Sequence, residues 1–368
     1  MSINFQITSK QGKARAGILT TPHGPIETPV FMPVGTQATV KGLTPLQLEE
    51  IDVSIILANT YHLYLRPGAD TVVQMGGLHN FMNWHRPILT DSGGYQVFSL
   101  AKMRKVDDEG VTFRNHLDGS THHFTPELSI QLQEQLGADI IMTFDECAVA
   151  DDRRTAERAL ARTHPWAERC LRVKKRADQA LFGIIQGGIF PDLRRASAEF
   201  ITSLEFPGYA IGGLSVGESK PDMLKILDMM DELLPNEKPR YLMGVGTPLD
   251  LIEGVKRGMD MFDCVLPTRL ARHQSAQTLH GRLNLMNAKY TRDPQPIDPQ
   301  CQCYTCLHFS RAYLHHLIVA KEILAATLIS IHNLFTLVEL MKRIRLEISK
   351  GTFDKFAQDI IPMMLEDS

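Results

Sequence analysis

The 368-residue chain carries 39 Lys and Arg against 42 Asp and Glu, a formal net charge of −3, with 43% hydrophobic and 22% charged residues. These ordinary globular values exclude a disordered or collagen-like chain, and they give no global pull toward a polyanion, so a nucleic-acid partner needs a local basic patch. The opening MSINFQITSKQGKAR has no apolar h-region and no uninterrupted apolar run approaches ~18 residues, so neither a secretory signal nor a membrane partner is expected.

Along the chain, short apolar runs alternate with segments of helical period. The expected strands are VFMPV (30–34), SIILAN (54–59), PILTD (87–91), DIIMTFDE (139–146), LFGIIQGG (181–188), YAIGGLS (209–215), YLMGVG (241–246) and MFDCVL (261–266). Between the later ones lie TPELSIQLQEQLG, with Thr125 as N-cap and Pro126 at the first helical position, then DLRRASAEFITSLE and KPDMLKILDMMDELLP, closed by Pro235. Pro248 opens PLDLIEGVKRGM in the same way. Near-continuous apolar strands separated by helices indicate a parallel sheet buried on both faces, and eight of them predict a (β/α)8 TIM barrel; pattern alone leaves a doubly wound sheet open. The expected organisation is a single barrel domain over residues 1–368. A zinc-binding subdomain at 290–335 is entered through the Pro-rich TRDPQPIDPQCQC (291–303) and followed by helices that return to the barrel.

Catalytic groups of a barrel sit at the C-terminal ends of its strands. Those ends are polar here: Asn59, Asp91, Asp145, Gln186, Gly213, Gly244 and Asp263. A single strand-terminal Asp is usually a turn former or helix cap, but three of them beside a Gln and a Gly-Gly predict a polar site at one end of the barrel. In Asp91-Ser92-Gly93-Gly94-Tyr95-Gln96 the glycines permit a tight turn and close ligand approach, and Tyr95 offers a flat face. Guanine presents two donors beside the O6 acceptor. A carboxylate can take both donors while a side-chain amide or backbone N–H serves O6, which Asp145, Gln186 and the amides around Gly213-Leu214 would supply. Asp263 interrupts an apolar strand and must be paired, capping or functional. From 254 to 292 seven Lys/Arg (Lys256, Arg257, Arg269, Arg272, Arg282, Lys289, Arg292) face only Asp260 and Asp263, a fitting footprint for a phosphate backbone.

Three of the six cysteines, Cys301, Cys303 and Cys306, fall in PQCQCYTCLHF, while Cys147, Cys170 and Cys264 are scattered. That pattern suits a reducing, cytoplasmic location with one metal site better than a disulfide framework. Candidate fourth ligands are His308, His315, His316 and His332. His308 is too near to close a tetrahedron comfortably, and His332 can bring a distant element back to the site. Four protein ligands leave no open position, so the zinc is expected to be structural.

DSGGYQVFSL, FDEC, FGIIQGG, YAIGGLSVGE, YLMGVG, MFDCVLPTR and CxCxxC…SRAYLHHL…IHN together resemble bacterial-type tRNA-guanine transglycosylase (queuine tRNA-ribosyltransferase) over nearly the whole chain. The resemblance implies a zinc-bearing (β/α)8 barrel. It implies replacement of guanine at the anticodon wobble position, within a U-G-U context of GUN-anticodon tRNAs, by the queuosine precursor preQ1. It assigns Asp263 as nucleophile and Asp91 as general acid/base. Asp145, Gln186, Gly213 and Leu214 match the base-recognition set, with Ser92 beside them, and Tyr95 and Met243 sandwich the base. Asn59 and Gln96 match residues near the ribose, Glu218 the support of the Leu214 peptide, and Arg269 and Arg272 anticodon-loop contacts. The metal ligands Cys301, Cys303, Cys306 and His332 match as well. Cys147 and Val216 resemble the choices that favour small preQ1, and no archaeal-type RNA-binding extension is expected. Exchange of one N-glycosidic bond for another implies no nucleotide or redox cofactor, and the family implies a homodimer. The chain departs from the family's PTRxARNG with His273-Gln274, and SAQTLHGRLNLMN places its hairpin turn at His280-Gly281. Two rivals stand beside this reading: a non-catalytic RNA-binding relative, and a nucleoside or glycoside hydrolase using the same carboxylates.

Overall fold

The computed structural model describes residues 3–100 and 104–366. Eight parallel strands close into a barrel in chain order: β1 (Val30–Gly35), β2 (Ile56–Ala58), β3 (Ile88–Thr90), β4 (Ile140–Met142), β5 (Ala180–Ile185), β6 (Gly208–Ile211), β7 (Arg240–Leu242) and β8 (Met261–Cys264). β8 pairs with β1 from Met261↔Val30 to Cys264↔Pro33, and β3 meets β4 at Leu89↔Ile140. The closed barrel removes the doubly wound alternative. Each of the eight expected strands is present; the first runs one residue further, to Gly35, and the other seven stop short of their expected polar ends, where the backbone leaves the ladder.

The barrel interior is filled by alternate residues: Val30, Met32 and Val34 on β1, Ile55 and Leu57, Leu89, Ile140 and Met142, Phe182 and Ile184, Ala210, Tyr241, and Met261. Side chains two apart share a face of a strand. Extending these rows by one step reaches Asn59, Asp91, Gln186, Met243 and Asp263. The site residues are therefore the last inward positions of the same rows that build the core.

Helices follow the capping chemistry of the sequence. Thr125 accepts from Leu128 N–H at the start of Pro126–Leu136, which ends at left-handed Gly137. Ser219 caps Lys220–Leu233, and Thr247 with Asp250 forms a capping box on Pro248–Lys256. Three additions to the expected pattern appear. An antiparallel sheet (Asn4–Gln11, Ala14–Thr21, Gly24–Thr28) sends Leu19 and Ile26 into the barrel interior and plugs the end opposite the site. A second small sheet (Arg104–Val106, Val111–Arg114, Thr121–Phe124) is inserted between β3 and β4, and a 21-residue helix, Arg153–Val173, follows β4.

Beyond β8 come the helix Leu266–Arg272, the hairpin Ser275–Thr278/Gly281–Asn284, and the short helices Tyr304–His308 and Arg311–Val319. The 28-residue helix Ile323–Lys350 then returns to the barrel. Thr327 Oγ1 donates to Gly42 O at 2.9 Å and Arg345 to Pro29 O at 2.9 Å. This helix is long and apolar enough to cross a bilayer, but 61% of its most apolar window is buried against the rest of the chain, as in a core helix.

Candidate active site

The strand ends open onto one cavity of about 550 Å³ lined by Asn59, Asp91, Ser92, Tyr95, Gln96, Asp145, Cys147, Gln186, Gly213, Leu214, Met243, Asp263 and Arg269. Every expected base- and ribose-side position except Glu218 lines it. Glu218 stands behind the wall, where its carboxylate accepts from the N–H groups of Ser215 and, at 3.0 Å, Val216.

Asp91 is 8% exposed and accepts from four donors. Oδ1 takes Thr60 N–H at 2.9 Å and Gly93 N–H at 3.1 Å; Oδ2 takes the side-chain amides of Asn59 and, at 3.0 Å, Gln96. Burial nevertheless pushes this carboxyl from 3.8 up to about 6; the hydrogen bonds oppose that push and the nearby Asp263 charge adds a smaller one. The group is thereby poised to hold or release a proton near neutrality.

Asp263 is held on one side only. Tyr241 Oη donates to its Oδ1 at 2.6 Å and Gly244 N–H at 2.8 Å. Oδ2 has no protein hydrogen-bond partner among the described residues and belongs to a side chain lining the cavity. Burial raises this carboxyl as well, against those two donors. Burial likewise keeps the Tyr241 phenol far above its ordinary range, so it remains a donor. Tyr241 is not among the site residues expected from the sequence. Its signal was parity: it stands two residues before Met243, on the same inward row.

Asp145 is 5% exposed. Ser92 Oγ donates to its Oδ1 at 3.1 Å and the Gln186 amide to its Oδ2 at 2.6 Å, while burial lifts the carboxyl from 3.8 to about 6. The two loops meet only because glycines stand between them: a Cβ on Gly94 would lie 2.5 Å from Asp145 O, and one on Gly213, at φ +63, would lie 2.2 Å from Gln186 Oε1. Tyr95 is 53% exposed on the helix Gly94–Leu100, a free ring at the cavity rim. Cys147 is pushed up to about 12 by burial and stays a thiol.

Of the seven basic residues after 254, Arg269 lines the cavity and Arg272 ends the same helix. Arg257 is instead tied to Asp228 and Glu253, so the run is not one uniform basic face.

The metal-ligand set assembles as expected. The Sγ atoms of Cys301, Cys303 and Cys306 lie 3.5, 3.6 and 3.3 Å from His332 Nδ1. All four ligand atoms fall within 4.8 Å of one another, with His332 and two of the thiols buried. His332 Nε2 lies 3.1 Å from Gln277 O, a contact only an N–H can satisfy, which leaves the Nδ1 lone pair facing the sulfurs. The residues therefore fit a tetrahedral metal ion. His332 sits in the third turn of the long helix, after the apolar ILAATLIS that forms its first two turns. His308, His315 and His316 stay outside the cluster; His315 Nδ1 lies 2.8 Å from Leu285 O. A second cluster, His23, His79 and Asp139, lies at the opposite end of the barrel. Its imidazoles stack at 3.5 Å with planes 14° apart, and His23 Nδ1 and His79 Nε2 lie 2.8 and 3.2 Å from the two oxygens of Asp139, contacts to a carboxylate that ring N–H groups satisfy. Asp139 there also accepts from Ile88 N–H at 2.9 Å, as a tie between barrel strands.

Comparison with known proteins gives a consistent result. A family model described as "Queuine tRNA-ribosyltransferase" matches residues 10–364. The chain is 57% identical to the queuine tRNA-ribosyltransferase of Halothermothrix orenii over 364 residues, 98% of either chain. It is 60% identical to that of Moorella thermoacetica over 347 residues, 94% of this chain and 93% of the relative. Identity to the Caldanaerobacter subterraneus protein of the same name is 57%, covering 98% and 97% of the two chains. With a closed parallel barrel, a polar cavity at its strand ends and a matched span of this extent, the chain belongs to the queuine tRNA-ribosyltransferase family.

Proposed function

We propose that this chain is a tRNA-guanine transglycosylase that exchanges guanine at anticodon position 34 of GUN-anticodon tRNAs for preQ1, in queuosine biosynthesis, by a retaining double displacement. The observation that carries the reading is the opening of Asp263 and Asp91 onto the cavity that also holds Asp145 and Gln186.

In this reading the free Asp263 Oδ2 attacks ribose C1′ as the C1′–N9 bond breaks, giving a covalent glycosyl-enzyme through an oxocarbenium-like state. Tyr241 and Gly244 hold Oδ1 and orient the attack. Asp91 gives a proton to the departing guanine and later takes one from the incoming base, whose attack on C1′ breaks the Asp263 ester. Two inversions preserve the β configuration. Asp145 accepts the base's two donors while Gln186 and the Gly213-Leu214 backbone serve O6. Tyr95 and Met243 enclose the ring and replace stacking lost when the base leaves the anticodon loop. Asn59 and Gln96 border the ribose, and Ser92 orients Asp145. Glu218 supports the Leu214 peptide toward the aminomethyl group, Cys147 limits pocket size, and Arg269 and Arg272 grip the anticodon loop.

The Cys301, Cys303, Cys306 and His332 set would hold Zn²⁺, which supplies structural cross-linking with no vacant coordination position. The chain would act as one barrel domain with 290–335 as its zinc subdomain, in the cytoplasm. A homodimer is supported by the exposed apolar side chains around the metal region, among them Tyr304 (51%), Leu307 (57%) and Val319 (59%).

The test is incorporation of radiolabelled guanine into a GUN-anticodon tRNA, combined with denaturing-gel detection of the enzyme–RNA adduct. Wild type should incorporate guanine and form the adduct; Asp263→Asn should do neither. Release of free guanine without incorporation would identify a hydrolase, and RNA binding with neither exchange nor adduct a non-catalytic relative.

A further inference from the structure

Arg194 is fully buried, with 0% exposure, in the first turn of the helix Pro191–Ser203. That is an unfavourable place for a cation: the helix N-terminus carries partial positive charge, and among the described residues no carboxylate forms an ion pair with this guanidinium. Its hydrogen bonds go to backbone carbonyls alone. Nε donates to Gly188 O at 2.7 Å, Nη1 to Ile185 O at 2.9 Å and Nη2 to Gly213 O at 3.3 Å. Ile185 and Gly188 bracket Gln186, and Gly213 lies on the neighbouring loop, so a single planar fork spans both loops that line the base side of the cavity.

The consequence falls on Leu214. In a trans peptide the C=O and N–H point opposite ways. With the Gly213 carbonyl turned back to Arg194, the Leu214 N–H is turned away from it. With the Ser215 N–H turned to Glu218, the Leu214 carbonyl is turned away from that side. Leu214 is 3% exposed and lines the cavity, yet its N–H and C=O have no protein partner among the described residues. Buried backbone groups are nearly always paired, so an unpaired donor and acceptor on a cavity wall mark places kept for a ligand.

We propose that Arg194 is a positioning residue of the base pocket: by anchoring the Gly213 carbonyl beside the Gln186 loop it aims the Leu214 backbone at the bound purine. The inference rests on the base-recognition reading given above. Lysine keeps the charge but cannot span three carbonyls, so the fork, not the charge, is the operative feature.

Arg194→Lys and Arg194→Gln, compared with wild type in the guanine exchange assay, separate the possibilities. Both variants should raise KM for guanine at least about tenfold while KM for tRNA and kcat stay within about threefold. Metal content should stay that of wild type, and unfolding should remain a single cooperative transition at a lower midpoint, because buried carbonyls lose their donor. Unchanged KM for guanine in either variant overturns the proposal, as does full recovery by lysine. So does a parallel loss of tRNA affinity or of the folded state in both variants, because that marks a merely structural residue. A wild type that exchanges no guanine overturns the pocket reading itself, and the proposal with it.

Discussion

Three carboxylates share the cavity and are distinguished by their hydrogen bonds. Asp91 has four donors, Asp145 two side-chain donors, and Asp263 two donors on one oxygen only. Asp145 yields a prediction with a definite sign. Its folded pKa is raised by burial from 3.8 to about 6. Below pH ~4 it is neutral whether folded or unfolded and has no linkage effect. Between the two values the unfolded chain ionises first, and above pH 6 the full penalty against the folded state is present. Asp145→Asn should therefore stabilise the protein at pH 7 by about 1–3 kcal/mol, and the gain should disappear toward pH 4. The same variant should bind guanine weakly at every pH. Wild-type affinity should fall about tenfold per unit below pH 6 as one acceptor is lost. Thermal unfolding and calorimetric titration across pH 4–8 check both; a variant destabilised at pH 7, or a flat wild-type profile, contradicts the assignment.

At the scale of elements, strands and helices were largely legible because their signals are local. Apolar runs of strand length, proline at first helical positions and Ser or Thr caps give the same answer in sequence and structure. The segment after Arg272 depended on more than composition. The hairpin turns at Leu279-His280, one residue before the expected His280-Gly281. Thr278 is the reason: its Oγ1 accepts from His280 N–H at 3.0 Å and donates to Gly281 O at 3.0 Å, which pins the earlier register. Just upstream, Gln274 stands at φ +57, the conformation glycine adopts without cost, where the family pattern has Asn-Gly. A left-handed residue thus stands at this turn without being a glycine. Gln274→Gly should leave exchange activity intact and change stability by no more than about +1 kcal/mol, since relieved strain is partly offset by greater unfolded-state entropy. Gln274→Val should lose more than about 1 kcal/mol. Chemical denaturation of the three proteins tests this, and a Val variant as stable as wild type would remove the argument from backbone strain.

At the scale of the whole molecule, the Cys301, Cys303, Cys306 and His332 set joins a short helix to the third turn of the longest one. That helix in turn reaches the barrel through Thr327 and Arg345. His332 also touches the hairpin through Gln277 O, and Asn333 accepts from Gln277 N–H at 2.7 Å. Loss of the metal should therefore loosen 290–335 and the hairpin together, while the barrel, closed by its own ladder, persists. Hydrogen exchange after chelation should accelerate in those segments and leave β1–β8 protected. If the proposed dimer uses the metal region, sedimentation should move toward the monomer in the same sample. Unchanged exchange after verified metal loss would mean the thiols and His332 pack without needing an ion.

The sequence by itself determined the strand rows, the helix caps, the polar strand ends and the ligand types of the metal site, because each depends on spacing within a few residues. It also held two signals that were passed over. Tyr241 shares a face with Met243, and Arg194 falls on the buried face of its helix with Ser197, Ala198 and Ile201, at intervals of three and four. Only the tertiary structure decided that the sheet closes, and that Asp91 and Asp263 meet in one cavity. Only there does Oδ2 of Asp263 remain without a protein partner, and only there does a buried guanidinium grip two loops at once. Those outcomes depend on groups far apart in the chain, whose desolvation and pairing exist only after the barrel has brought its strand ends together.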